Sequence, residues 1–294
     1  MSMSNSTTRL QWRDVNASQR TPKPLRLFHI AYDEATRADV PAGFELMDHS
    51  DNERSDWREY WPIRRFLKGH LQGAAVDDDS WFGFFSPRFK EKTGLTPSQV
   101  TAFVESSAPA VDVVTFSPQA DMGAFFLSPF EQEEMFQPGF IAASQAFLGA
   151  IGVNADLSKI VMDSRQIVFS NYFVAKKPFW RRWIDINEKL FALCEGEKGP
   201  KFEALRASLT SPTQYPGGVQ RKVFLMERIA SLILTLEPSW RVRAYNTFDC
   251  AWSATALNQY KHEAVLSDAL KIAMREQGFS QYYAAFSAIR QRVC

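Results

Sequence analysis

Short apolar runs alternate along this chain with segments in which apolar residues recur every three or four positions. The runs have the length and composition of buried strands, and they cover residues 25–32, 44–47, 81–85, 111–116, 167–175 and 240–245. The periodic segments predict helices over residues 57–70, 140–151 and 221–236, from Pro97, from Pro178 and from about residue 253 onward. Strands that alternate with helices predict an α/β fold with a mostly parallel central sheet flanked by helices and a helical C-terminal part.

The stretch of residues 170–183 is the most informative part of the pattern. Residues 170–173 belong to a predicted strand, Lys176 and Lys177 form a basic turn, and Pro178 opens a helix, where its missing N–H would be unsatisfied anyway. That helix is predicted to bury one stripe of side chains, namely Phe179, Trp183, Ile186, Leu190 and Leu193. Since ligands bind at strand ends in open α/β sheets, we expect a ligand near this segment.

Composition narrows the classes of function. The chain has 294 residues and a net charge of +1, which argues against the clustered basic face of a nucleic-acid-binding protein. Its three cysteines are far apart and form no metal-binding spacing, so no structural zinc site is predicted. No apolar run reaches the length of a membrane span, and the polar N-terminal stretch lacks the apolar core of a signal peptide. We therefore expect a cytoplasmic protein with a flexible arm at residues 1–24 and a single domain at residues 25–294.

Four short motifs follow one another in the chain. They are EYWPIR at residues 59–64, WFGFFSPRF at 81–89, SNYF at 170–173 and MERI at 226–229. This succession resembles bacterial glycosyltransferases of the GT-A kind, which build capsule, O-antigen and related surface polysaccharides. The resemblance spans about residues 25–247. Relatives usually carry His-Tyr-Arg where this chain has Ser86, Pro87 and Arg88, so that only Arg88 of that trio carries over.

The resemblance implies a GT-A-like fold and the transfer of a sugar from a nucleotide-sugar donor to a surface polysaccharide or a lipid-linked glycan. Such a transfer needs a base for the acceptor hydroxyl and positive charge for the departing diphosphate. Asp163 and Glu227 are the predicted catalytic residues. The predicted donor-binding residues are Tyr32, Asp33, Arg64, Arg88, Asn171 and Arg228.

For some of these residues the sequence also supports a structural role. Asp163 has the sequence context of a turn cap as well as of a site loop. Glu227 and Arg228 form either an internal charge pair that orients its neighbours or part of a cleft. Lys176, Lys177 and Arg65 are further candidate cations, although Lys176 and Arg65 are more typical of surface charges.

An acidic run at residues 77–79 is the candidate metal site. Asp77 and Asp79 would supply the carboxylate oxygens that Mn²⁺ or Mg²⁺ prefers. However, the run precedes a predicted strand instead of following one, which favours a solvated turn.

Two further questions stay open at the level of sequence. A non-catalytic glycan- or nucleotide-binding protein on the same scaffold is the alternative function, because a fold does not determine a function. A lipid-linked acceptor would bring the protein to the inner face of the membrane, where the basic and aromatic residues 179–183 would contact the bilayer. The competing interpretation of those residues is a helix with one buried and one solvated face, and the pattern favours it.

Overall fold

The computed structural model describes residues 24–71, 79–196 and 199–294. The arm predicted at residues 1–24 therefore lies outside the described residues except for Pro24. The described chain forms a six-stranded sheet, and its strands are β1 (Leu25–Ala31), β2 (Glu45–Asp48), β3 (Trp81–Phe85), β4 (Val113–Thr115), β5 (Phe173–Lys176) and β6 (Val242–Ala244). Their order across the sheet is β2-β1-β3-β5-β4-β6.

The sheet is mixed and mostly parallel. Strand β1 is parallel to both of its neighbours, β2 and β3, and β4 is parallel to β6. Only β5 runs the other way, antiparallel to β3 and to β4. The α/β class with a mostly parallel sheet is thus confirmed, and β5 is the exception that the alternation of elements did not indicate.

Helices cover both faces of the sheet and fill the C-terminal part. Those before β5 are α1 (Glu34–Ala38), α2 (Tyr60–His70), α3 (Phe89–Thr93), α4 (Pro97–Ser107), α5 (Ala120–Ala124), α6 (Pro129–Phe136) and α7 (Phe140–Ala150). Those after β5 are α8 (Lys177–Cys194), α9 (Glu203–Thr210), α10 (Arg221–Leu236), α11 (Lys261–Gln277) and α12 (Ser280–Val293). Within the described parts of the chain, no helix has the length and apolar character needed to cross a membrane.

Local signals explain where several helices begin. Thr96 caps α4, accepting from the N–H of Gln99 while its own N–H donates to the Gln99 side chain, and Pro97 follows in the first turn. In α8, Pro178 lies in the first turn and the predicted stripe from Phe179 to Leu193 is buried. Both predictions are confirmed, because each depended on contacts within one helix or on its apolar periodicity.

The sheet separates two hydrophobic cores. On one face, α2, α8 and α10 pack against Phe82 and Phe84 of β3. On the other face, α3 and α4 pack against Trp81 and Phe85 of the same strand. Because β3 is buried on both faces, its sequence is a continuous apolar run instead of an alternating one.

The segment before β5 departs from the predicted strand at residues 167–175. The strand begins only at Phe173, because Ser170 and Asn171 adopt positive φ angles of 59° and 53° that a strand does not contain. Side chains replace the missing ladder partners, since the N–H groups of Val168 and Phe169 donate to the hydroxyls of Ser231 and Ser117. The prediction of a long strand is therefore wrong at its first half.

The predicted basic turn is absent, because Lys176 ends β5 and Lys177 begins α8, and the two lysines lie at the opposite edge of the sheet from the one expected. Because β5 is antiparallel to β3, Lys176 pairs with Trp81 at the start of that strand. There the Lys176 ammonium lies 3.1 Å from Asp112 Oδ1. The edge formed by the carboxyl ends of the parallel strands instead meets the beginning of β5, near Asn171.

Candidate functional site

The carboxyl ends of β1, β3 and β4 and the start of β5 form one edge of the sheet. From β1 the chain proceeds to β2 on one side, and from β3 it proceeds toward β4 on the other. The boundary between β1 and β3 is therefore a topological switch point, which is the place where open α/β sheets bind ligands. Tyr32 follows β1 at this boundary, and Ser86 follows β3.

Two glutamates lie together at this edge. Glu59 immediately precedes α2 and Glu227 lies in α10, and their carboxyl groups are within hydrogen-bonding reach of each other. Burial raises the pKa of Glu59, and burial together with the negative charge of Glu59 raises the pKa of Glu227 to about 8. Two neighbouring carboxyl groups resist ionising together, so the protonated form of Glu227 is favoured at neutral pH.

Asn171 binds one of these glutamates through its side chain. Its Nδ2 donates to Glu59 Oε1 at 3.4 Å and contacts Met226 Sδ at 3.3 Å. Its Oδ1 is buried and has no hydrogen-bond partner among the described residues. A ligand that donates a hydrogen bond would satisfy this atom.

Lys92 supplies positive charge beside the two glutamates. Its Nζ donates to Ser170 Oγ at 2.8 Å, and burial lowers its pKa while the charges of Glu227 and Glu59 oppose that shift. The ammonium is thus held by the segment that carries Asn171.

Two tyrosines complete the group. The pKa of Tyr32 and that of Tyr172 are both raised, first by burial and also by the negative charge of Glu59. The hydroxyls of Tyr172 and Ser86 lie 2.6 Å apart and share a hydrogen bond. Together with Glu59, Lys92, Asn171 and Glu227, these two tyrosines form what we call the carboxyl-edge cluster.

Strained backbone surrounds this cluster. Arg58, next to Glu59, has φ 49° and ψ −137°, and Ser170 and Asn171 are both left-handed. Non-glycine residues pay roughly 1–3 kcal/mol for such conformations and keep them where the surroundings enforce them, which is often at functional sites.

The structure brings some of the predicted site residues to the cluster. Tyr32, Asn171 and Glu227 belong to it. Arg88 lies at its rim, where its charge affects the pKa of Tyr172, although its guanidinium also binds Glu91 with an Nη2–Oε1 distance of 2.7 Å. Arg228 is adjacent, with its Nη1 at 3.9 Å from Glu227 Oε2.

The buried Arg228 has other partners that fix it in place. Its Nη2 donates to Glu133 Oε2 at 2.5 Å and its Nε to the carbonyl oxygen of Pro129 at 2.9 Å. These contacts tie α10 to α6. Arg228 therefore orients Glu227 from behind and has its donors engaged by protein groups.

Three other predicted residues contact partners elsewhere. The Asp163 carboxylate is fully buried between two guanidinium groups, with Arg165 Nε at 2.9 Å and Arg275 Nε at 3.2 Å. Arg64 binds Glu188 and stacks over the ring of Phe191 at 4.1 Å. Asp33 is exposed and caps α1 by accepting from the N–H of Thr36 at 2.8 Å.

Of the two predicted metal ligands, only Asp79 lies within the described residues. Asp77 lies outside the described residues. Asp79 lies just before β3, at the sheet edge opposite the cluster, where Lys176 Nζ is 3.6 Å from its Oδ1. Across the described ranges no group of three or more His, Cys, Asp or Glu side chains has the geometry to hold a metal ion.

Sequence reasoning missed Glu59, Lys92 and Tyr172 as site residues. Glu59 and Tyr172 lie within the quoted motifs, so the motifs themselves were the available signal. Lys92 lies in the short helix α3 directly after the second motif, which a rule about residues that follow central strands would have included.

Comparisons of the chain with protein-family models, with curated proteins and with solved structures found no match in any of the three. The described residues therefore define the class of this protein by its fold and its site alone. It is an α/β protein whose mostly parallel sheet carries a pair of glutamates, a lysine and two tyrosines at its switch point.

This arrangement is suited to proton transfer next to a bound anion. The glutamate pair takes up or releases a proton near neutral pH, because the pKa of Glu227 is about 8. Lys92 and Arg88 supply positive charge at the same edge. Asn171 Oδ1 is a buried acceptor at the same edge that has no hydrogen-bond partner among the described residues.

Proposed function

We propose that this protein is a glycosyltransferase, which moves a sugar from a nucleotide-sugar donor to a cell-surface polysaccharide or a lipid-linked glycan. One observation carries the proposal. The four motifs that resemble GT-A glycosyltransferases are separated by up to 170 residues or so along the chain, yet each contributes to one site, through Glu59, Ser86, Asn171 and Glu227. Motifs that occurred by chance would have no reason to meet at the switch point of the sheet.

The glutamate pair is the proposed base. An inverting glycosyltransferase requires a base, a carboxylate or a histidine, that removes the proton of the acceptor hydroxyl as the new bond to the sugar forms. In this pair, the carboxyl group that is ionised accepts that proton and the other stabilises it by hydrogen bonding. Asn171 holds Glu59 in position through its Nδ2.

Cationic side chains are the proposed partners of the donor diphosphate. Lys92 and Arg88 are two cations whose charges reach the cluster, in addition to Arg228, whose donors are already engaged by protein groups. Arg88 offers the bidentate geometry that suits a phosphate, once it exchanges Glu91 for the ligand. The proposed mechanism assigns neutralisation of the diphosphate charge to these two residues.

The proposal is tested in two stages. Thermal unfolding is first followed with UDP-, GDP-, CMP- and dTDP-sugars, each with and without Mn²⁺, because a ligand that binds only the folded state must raise the midpoint of unfolding. The donor that stabilises the protein is then supplied in radiolabelled form, and its hydrolysis or transfer is measured. Selective stabilisation followed by turnover supports the proposal.

A matched pair of variants makes the second stage specific. Glu227→Gln removes a carboxyl from the cluster, whereas Glu105→Gln removes an exposed one from α4. Turnover that survives in the first variant and equals that of the second would contradict the proposed base. Stabilisation by a nucleotide-sugar without turnover would instead favour a binding protein.

A further inference from the structure

A cavity of about 240 Å³ lies on the face of the sheet that α3 and α4 cover, next to the carboxyl-edge cluster. The loop between α1 and β2, the segment after β3 and the start of α4 form its walls. Most of the lining is apolar, notably Pro41, Phe44, Pro87, Phe89, Leu95 and Pro97. An apolar cavity of about 150 Å³ is already large enough to bind benzene, so this one admits one or two rings.

Close packing between the elements holds the walls of this cavity in place. Gly43 has φ +104°, and a Cβ at this position would stand 3.0 Å from Pro97 Cβ, so the loop before β2 packs directly on the start of α4. Phe44 stacks on Phe85 with ring centroids 5.2 Å apart and meets Phe89 edge-on at 6.0 Å. The cavity is therefore preformed, and its flat walls favour a ligand with an aromatic ring.

The charge of the cavity lining is positive. Among the described residues that line it, Lys90 of α3 carries a charge and none is an aspartate or a glutamate. His29 also belongs to the lining, and burial lowers its pKa, so its ring is mostly neutral at pH 7. An uncompensated positive charge beside apolar walls favours a ligand that is both apolar and anionic.

Lys90 differs from the basic residues on either side of it because its ammonium is not engaged. Arg88 binds Glu91 with an Nη2–Oε1 distance of 2.7 Å, and Lys92 Nζ donates to Ser170 Oγ at 2.8 Å. The exposed Lys90 side chain has neither a hydrogen bond nor an ion pair with any residue that the structure describes. Its flexible four-carbon stem is therefore free to bring the ammonium to a ligand in the cavity.

We propose that this cavity binds a small monocarboxylic acid with one or two aromatic rings, which packs its rings on the apolar walls and pairs its carboxylate with Lys90. A single ammonium balances one negative charge, which suits a carboxylate better than a phosphate monoester with its charge of about −1.5 to −2. The site uses none of the residues of the carboxyl-edge cluster, and the proposal does not depend on the proposed transferase activity. Ser86 links the two sites, because its hydroxyl bonds Tyr172 and the residue lines the cavity.

The test compares benzoate with benzamide, which has nearly the same shape but no charge. Binding to the full chain is measured by calorimetry or by ligand-observed NMR at low ionic strength. An ion pair at a partly exposed site is expected to make benzoate bind about 3-fold more tightly than benzamide, and added salt should reduce this preference. Equal affinity for the two probes, or binding of neither up to their solubility, would overturn the proposal.

Two variants assign the preference to Lys90. Lys90→Met removes the ammonium and keeps an unbranched apolar side chain, so the preference for benzoate should disappear while benzamide still binds. Lys159→Met removes an ammonium from a side chain that is 83% exposed and does not line the cavity, and it should leave both affinities unchanged. A preference for benzoate that persists in Lys90→Met would place the carboxylate on another cation and contradict the proposal.

A measurement on the unmodified protein locates the ring of the probe. The aromatic resonances of Phe44, which lines the cavity and is half-buried, are followed by NMR during titration with benzoate. The ring current of the bound probe should shift them, whereas the resonances of the exposed Phe136 of α6 should not move. Unchanged Phe44 resonances at saturating benzoate would show that the probe binds outside the cavity and would refute the proposed site.

Discussion

Glu227 and Asp163 were both predicted to be catalytic, and the protein surrounds them in opposite ways. The fully buried Asp163 has guanidinium groups on two sides, from Arg165 at 2.9 Å and from Arg275 at 3.2 Å. The side chain of Glu227 is one-quarter exposed, its nearest cation is Arg228 at 3.9 Å, and a second carboxyl, Glu59, lies beside it. Negative charge is compensated at the first position and left in excess at the second.

The difference separates a structural carboxylate from a chemically available one. The Asp163 carboxylate accepts hydrogen bonds from the side chain and the N–H of Arg165 and forms an ion pair with Arg275, so most of its acceptor capacity is occupied. A carboxyl group whose pKa is near 8 exchanges its proton within the physiological range. The Asp163 region joins the loop before β5 to α11, whereas the Glu227 region lies at the switch point of the sheet.

The largest expected effect is a loss of catalytic rate when the glutamate pair at Glu227 is altered. Glu227→Gln and Glu59→Gln should each lower the rate of sugar transfer by about 100-fold or more, since general bases contribute roughly 10²–10⁴-fold. Single-turnover transfer with the donor identified by thermal unfolding provides the measurement. A rate within about 3-fold of the unmodified protein in both variants would remove the glutamate pair from the mechanism.

The next largest expected effect is a loss of stability when Asp163 is altered. Asp163→Asn leaves Arg165 and Arg275 without their shared counter-charge, and the expected loss is about 2 kcal/mol, below the usual range for buried pairs because Arg165 is 43% exposed. Urea unfolding measures this free energy. Asp185→Asn, which disrupts exposed pairs with Arg182 and Lys189, should change it by less than about 0.5 kcal/mol. Equal effects in the two variants would show that the arginines do not depend on Asp163.

The pH dependence of stability should separate the two regions further. The folded-state pKa of Glu227 is about 8 and its unfolded value is close to 4.3, so between these values the folded state binds the extra proton. Its contribution to stability is therefore fully present below pH 4 and is lost as the pH rises toward 8. Four groups set this shift besides burial, and they are Glu59, Arg228, Lys92 and Glu133.

Glu227→Gln should flatten this decline. We expect the variant to be more stable than the unmodified protein at pH 9 by on the order of 2 kcal/mol, since the partial exposure of the carboxyl reduces the full effect of its shift. Urea unfolding at pH 5, 7 and 9 provides the measurement, with Glu105→Gln as the control. Parallel pH profiles for Glu227→Gln and the unmodified protein would show that the pKa of Glu227 is close to its unfolded value.

The sequence predicted those parts of the fold that depend on local signals. Five of the six strands fall at the predicted places, and the α4 cap at Thr96 is as predicted. The direction of β5 was missed because three helices separate it from β4. No local sequence pattern indicates at which edge of the sheet the chain re-enters after those helices. The left-handed conformations of Ser170 and Asn171 were missed because serine and asparagine there are held by tertiary contacts with Lys92 and Glu59.

In the candidate site, too, the sequence indicated features that depend on local signals and missed those that depend on tertiary contacts. Glu227 was recognisable as a charge within an apolar helix, and such a residue has few structural reasons to be there. Glu59 looked like an ordinary residue at a helix start. Its raised pKa depends on how α2 and α10 pack on the sheet, which brings the two carboxyl groups together. Asp163 had a sequence signal of similar strength to that of Glu227, and only the positions of Arg165 and Arg275 distinguish the two.

The smallest expected effect concerns Ser170, which connects backbone strain to the cluster. Ser170→Gly relieves the positive φ of 59°, at a gain of roughly 1 kcal/mol, but removes the hydroxyl that binds Lys92 and increases the freedom of the unfolded chain. Ser170→Ala keeps the strain and loses the same hydroxyl. Glycine should therefore be the more stable of the two variants by about 1 kcal/mol in urea unfolding. If alanine and glycine are equally stable, the left-handed conformation does not persist without the Lys92 contact, and the cluster itself, instead of the surrounding fold, holds this segment in its shape.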